Sequence, residues 1–178
     1  MATAQQVLAY MKSLGHSFLG EVQAQKLVYY AQGWNLAWDG GPLFDEAIEA
    51  WEMGPVIRSL RGGMDSPEQP SEELGLSDQQ QENIRAVVDF YGALTGVELK
   101  ELTHTETPWA QTYAEKEEKG TSVIPTDLMR EEYSRQSAQD AGPRRVPVEL
   151  EHPDPADLHQ WVEDSADQWS HTLSLLAQ

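Results

Sequence analysis

The chain has 178 residues, no cysteine, and 30 Asp plus Glu against 12 Lys plus Arg, a formal charge of −18 at pH 7. That composition excludes disulfides, thiolate metal sites and a cysteine nucleophile. It disfavours direct nucleic-acid binding and an anionic membrane surface, because both require clustered bases. No run nears the roughly 20 apolar residues of a membrane span, and Met1–Lys12 lacks the basic-then-apolar pattern of a secretory signal. A cytoplasmic protein is therefore expected.

The excess acid is uneven: residues 64–82 hold six acids and no base, and residues 140–178 hold eight acids and two bases. The first helix is expected from Ala4 to Leu14, with Thr3 and Gln6 forming a capping box and Val7, Leu8, Met11 and Leu14 on one face. The second is expected from Leu19 to Trp38. Its broad apolar face, Leu27, Val28, Tyr29, Tyr30, Ala31, Trp34 and Trp38, predicts a central helix with neighbours on several sides, and Asp39-Gly40-Gly41 ends it.

Ala47–Glu52 reads as a short strand. Gly54-Pro55 predicts the start of a further helix, with Pro55 in the first turn where its missing N–H costs nothing. Met64–Leu76, with two prolines and unopposed acids, reads as a mobile loop. Ser77 and Gln80 form the capping box of a helix whose apolar side is Ile84, Val87, Val88, Tyr91 and Leu94. Thr95 and Glu98 repeat the box on a short helix ending near Leu102. Thr107-Pro108-Trp109 opens another, through about Lys119, and Thr126 one more, to about Gln136. After Gly142-Pro143 the chain reads as extended. A last helix begins at Asp154 or Pro155, with Leu158, Trp161, Val162, Trp169, Leu173 and Leu176 as its apolar positions. The fold class is thus mainly α: a compact helical domain with a short β element, a candidate hairpin, plus an appended C-terminal helix. Residues 1–139 form the domain and residues 140–178 the extension.

Motifs for chemistry are scarce. There is no phosphate loop, no dinucleotide fingerprint, no H-E-x-x-H and no G-x-S-x-G. His104 and Glu106, two apart on an expected loop, are the one pair with reach for a metal or a proton, but Thr103, His104, Thr105 and Thr107 also suit helix-end capping. Trp51 to Val56 reads as a structural corner. Lys26, a lone base on an apolar face, is expected to meet a carboxylate or a helix C-terminus. No catalytic residue, metal or cofactor is assigned, and the chain is expected not to be an enzyme.

The stretch from Gln25 to Ala37, QKLVYYAQGWNLA, is similar to the Panacea domain, the family that includes SocA-like and GepA-like phage-associated proteins. The likeness continues in order through Pro42-Leu43-Phe44, Ile48-Glu49-Ala50-Trp51, Gly54-Pro55-Val56, Leu102-Thr103-His104, Pro108-Trp109 and Ile124, and spans about residues 4–136. Met53 and Val28 depart from the usual residues, and the loop 64–76 and the tail have no counterpart. The resemblance implies an antitoxin that neutralises a cognate protein toxin by direct binding, or an adaptor that delivers the toxin to a protease. It implies that Lys26, Tyr29, Tyr30, Gly33, Trp34, Trp51, Gly54, Pro55, Thr103, His104, Pro108 and Trp109 serve the fold or the partner. Trp161 and Trp169 in the tail are candidate toxin contacts, since interface anchors favour large aromatics.

Overall fold

A computed structural model describes residues 1–16, 18, 20–62, 75–115 and 122–148. Most of the predicted mobile loop, residues 116–119 of one predicted helix, and the appended C-terminal helix with Trp161 and Trp169 lie outside the described residues. Among those described there are six α-helices and a three-stranded antiparallel sheet.

Helix α1 (Ala4–Ser13) starts at the expected box, with the Thr3 hydroxyl accepting from Gln6 N at 3.2 Å and the Gln6 side chain accepting from Thr3 N at 2.8 Å. The same reciprocal device opens α3 (Asp78–Tyr91) at Ser77 and Gln80, and α4 (Gly96–Thr105) at Thr95 and Glu98. Each box pairs two backbone N–H groups that a helix start leaves free. Helix α2 (Glu21–Asp39) is buried continuously from Gln23 to Leu36 and packs against α3, α4 and α6 (Thr126–Ala138). It is the central helix its broad apolar face predicts. The core joins Val7, Leu8 and Met11 of α1 to Leu27, Tyr30 and Trp34 of α2, Ile84, Val87 and Tyr91 of α3, and Met129 and Tyr133 of α6.

The helix expected after Gly54-Pro55 does not form. Strand β1 (Ile48–Trp51) instead turns at Glu52-Met53 into strand β2 (Gly54–Ile57), with Trp51 opposite Gly54 and Ile48 opposite Ile57. Gly54 sits at φ +91°, which lets the chain reverse within two residues and set Pro55 opposite Ala50. β2 is an edge strand, where proline's missing N–H leaves no ladder bond unmade. A single 3-10 turn, Arg58–Leu60, follows among the described residues up to Gly62. A two-residue strand β3 (Ser122–Val123) pairs with the other side of β1. Helix α4 also runs three residues beyond its expected end, and α5 (Thr107–Glu115) follows after Glu106 alone.

Extended backbone is fastened to the helices by glutamines. The Gln25 amide donates to Ile57 O at 3.1 Å and accepts from Ile57 N at 2.9 Å, completing the open edge of β2 as a further strand would. Gln32, seven residues on and so on the same face of α2, accepts from Leu43 N at 2.7 Å and donates to Phe44 O at 2.9 Å. Gln79 of α3 donates to Val146 O and accepts from Val148 N, at 2.9 and 2.8 Å. Residues 140–148, assigned from sequence to the extension, thus run along α3 and α2, where Gly142 lies against the Trp34 indole and Arg145 pairs with Asp39.

Candidate functional site

The residues of the shared motif converge on two buried polar centres along α2. The first is built on Lys26, whose side chain is 1% exposed. Its Nζ donates to Pro55 O at 2.8 Å. That carbonyl points away from β1 because Ala50 and Pro55 are a non-hydrogen-bonded pair next to a two-residue turn. A Cβ on Gly54 would sit 2.8 Å from Lys26 Cε and 3.0 Å from both Lys26 Nζ and Thr103 Oγ1, so Gly54 is the space the ammonium group occupies. Thr103 Oγ1 donates to Lys100 O at 2.8 Å. The expected partner of Lys26, a carboxylate or a helix end, is thus replaced by a strand carbonyl. Burial lowers its pKa to about 7, assisted by the positive charge of Lys100.

His104, in the last turn of α4, stacks on Trp109 of α5 at 3.7 Å between ring centroids and 3° between planes, and Trp109 stacks in turn on Tyr113 at 4.6 Å. The Trp109 indole N–H donates to Trp51 O at 2.9 Å and so ties the helix pair to the hairpin. Trp51 donates its own indole N–H to Glu49 at 2.8 Å, under the guanidinium groups of Arg58 and Arg61. His104 Nε2 is buried and meets no hydrogen-bond partner among the described residues. Burial, then the charges of Lys100 and Lys26, lower the His104 pKa.

The second centre is Glu106, 5% exposed, at the α4–α5 junction. Its Oε2 accepts from Tyr133 OH at 3.0 Å and Tyr30 OH at 3.3 Å, and its Oε1 from Gln136 Nε2 at 3.3 Å. Burial raises its pKa to about 7 against the opposing pull of these donors, and burial with the nearby carboxylate raises Tyr29, Tyr30 and Tyr133 well above the usual phenol range. Tyr30 stacks on Tyr91 at 4.2 Å, and Trp34 donates to Tyr91 OH at 3.3 Å. Gly33 admits the Tyr133 ring, since a Cβ there would fall inside the ring's van der Waals envelope.

His104 and Glu106 therefore do not form a pair. The loop expected to hold them together is the end of α4, and from it the imidazole turns to Trp109 while the carboxyl turns to α2 and α6. Thr103 and Thr105 do serve the helix end, donating to Lys100 O and Leu102 O, both at 2.8 Å. Of the twelve motif residues, all but Trp51 and His104 are buried. Sequence reasoning missed Gln25, Gln32, Tyr133 and Gln136 as members of these centres. The signal available was local: glutamines at Gln25 and Gln32 interrupt an apolar helix face at a seven-residue interval. Among the described residues there is no cluster of three or more potential metal ligands, and no helix is long and apolar enough to cross a membrane.

These features define a small helical domain whose polar centres join one long helix to a hairpin and a helix pair. Residues 25–110, which carry both centres except for Tyr133 and Gln136, match the model of the family described as Antitoxin SocA-like, Panacea domain, and over this stretch the chain is similar to that family. No curated protein and no solved structure matches the chain.

Proposed function

We propose that this protein is a cytoplasmic antitoxin that neutralises a cognate protein toxin by binding it directly, without covalent chemistry. The carrying observation is the match of residues 25–110 to an antitoxin-like family. The geometry is in keeping with it: the motif residues with ionisable groups are engaged with backbone, aromatic rings and tyrosines inside the fold, as in a scaffold that presents a surface. A charge of −18 suits capture of a basic toxin face, since opposite charge speeds encounter and disfavours wrong partners.

The test is co-expression with the product of an adjacent gene that arrests growth when expressed alone. Restored growth and a stable co-purifying pair are expected. A neighbour that is harmless alone, or a toxic one that is neither captured nor relieved, overturns the reading. Rescue that disappears in protease-deficient cells would replace it with the adaptor reading.

A further inference from the structure

With the motif mostly inside the fold, partner contact falls to what the surface offers. Exposed large apolar side chains are few among the described residues, and three of them, Val22 (36%), Met53 (50%) and Val97 (64%), line one groove of about 420 Å³. They come from three different elements: the first turn of α2, the β1–β2 turn and the first turn of α4. Gly20, Gln23, Thr95 and Gly96 complete the walls. A groove of this size accommodates several side chains.

Each apolar residue is followed or preceded in the chain by a glutamate. Glu21 lines the groove beside Val22. Glu52 is exposed and shares the two-residue turn with Met53. Glu98, next to Val97, folds over the groove residue Thr95, its Oε2 accepting from Thr95 N at 2.7 Å and from Thr95 Oγ1 at 2.8 Å. No lysine or arginine is among the lining residues. Lys26 and Lys100 come one turn further along α2 and α4, and Lys26 is buried behind Gly54.

We propose that this groove is the docking site for a protein partner that inserts an apolar side chain flanked by Lys or Arg; resting on the antitoxin reading, it is where the basic face of the toxin is held. Apolar burial supplies affinity and the acidic rim supplies orientation and speed. The walls are pre-organised by the α4 capping box and by the turn backed by Lys26, which lowers the cost of ordering on binding. Met53 adds an adaptable contact. A second copy of the chain is disfavoured as the occupant, because two acidic rims on molecules of charge −18 would face each other, and an anionic surface is repelled for the same reason.

Two measurements on the full chain decide it. The first titrates an acetylated peptide carrying one leucine between paired lysines, alongside a twin with glutamates for lysines, and follows the methyl signals of Val22, Met53 and Val97 by NMR. Shifts centred on these three, absent with the glutamate twin and reduced by salt, are expected. Equal response to both peptides, or no shift at these methyls at millimolar peptide, overturns the proposal. The second compares wild type with a Met53→Asp/Val97→Asp variant against the adjacent toxic protein. Both sites are exposed, and aspartate in a first helical turn suits the helix dipole, so an unchanged melting temperature is expected with binding weakened about tenfold or more. A less disruptive Met53→Ser/Val97→Ser variant is read in its place should the first melt early. Variants that bind like wild type overturn the groove, as does a wild-type dimer that they dissociate. Wild-type protein that ignores the toxin overturns the antitoxin reading, and the peptide result then judges the groove alone.

Discussion

Lys26 and Glu106 are both buried beside α2, yet they are accommodated in different ways. The lysine is held by a strand carbonyl, whereas the carboxyl receives three side-chain donors. Despite that disparity both pKa values move to about 7, in opposite directions from their ordinary values. Among the described residues neither group meets an opposite charge, and neutral partners fix position without offsetting the desolvation of the ion. A glycine makes room for each: Gly54 for the Lys26 side chain, Gly33 for the tyrosine that donates to Glu106.

The largest effect is expected from breaking the Glu106 side. Gly33→Ala drives a methyl into the Tyr133 ring, which has packed neighbours in Tyr29, Tyr30 and Trp34. Destabilisation of about 3 kcal/mol is expected in chemical denaturation. Gly54→Ala breaks the Lys26 side through a positive φ and a 2.8 Å approach to Lys26 Cε, at about 2–3 kcal/mol. If it costs less than a few tenths of that, the turn is not held as described.

Gln25→Ala leaves Lys26 in place but strips the neighbouring N–H and C=O of Ile57. A loss of about 2 kcal/mol is expected, with earlier hydrogen exchange at Ile57 as the local readout.

The smallest effects, and the ones that sharpen the comparison most, are slopes against pH. Glu106 has a raised folded pKa, so its favourable contribution is full below its ordinary 4.5 and is lost as pH rises through about 7. Lys26 has a lowered one, so its contribution is full above its ordinary 10.5 and is lost as pH falls through about 7. Each slope is at most about 1.4 kcal/mol per pH unit. Glu106→Gln should gain on wild type between pH 4.5 and 7, and Lys26→Met should gain between pH 10.5 and 7. Denaturation curves at several pH values check both, and profiles parallel to wild type would mean that the charges are compensated by groups not identified as their partners.

Much of the helical framework was legible because its signals are local. A capping box is a contact over three residues, so Thr3, Ser77 and Thr95 marked their helix starts correctly. The wide apolar face of α2 announced neighbours on several sides, and the helix proved buried all round from Gln23 to Leu36. The hairpin was half legible. Gly54-Pro55 suits both a helix start and a turn-strand junction, and the choice fell to the edge pairing with β1 and the amide of Gln25, 32 residues away. β3 was invisible, since two residues show no period.

The candidate site divided in the same way. The sequence by itself determined which residues belong to the motif, the helical class, and the surplus of acid, because composition and short-range spacing need no fold to be read. Only the tertiary structure decided that His104 and Glu106 part company, that Lys26 meets a carbonyl, and that Val22, Met53 and Val97 share a groove. Those relations join elements far apart in the chain. They depend on how the helices and the hairpin pack, which no local pattern encodes.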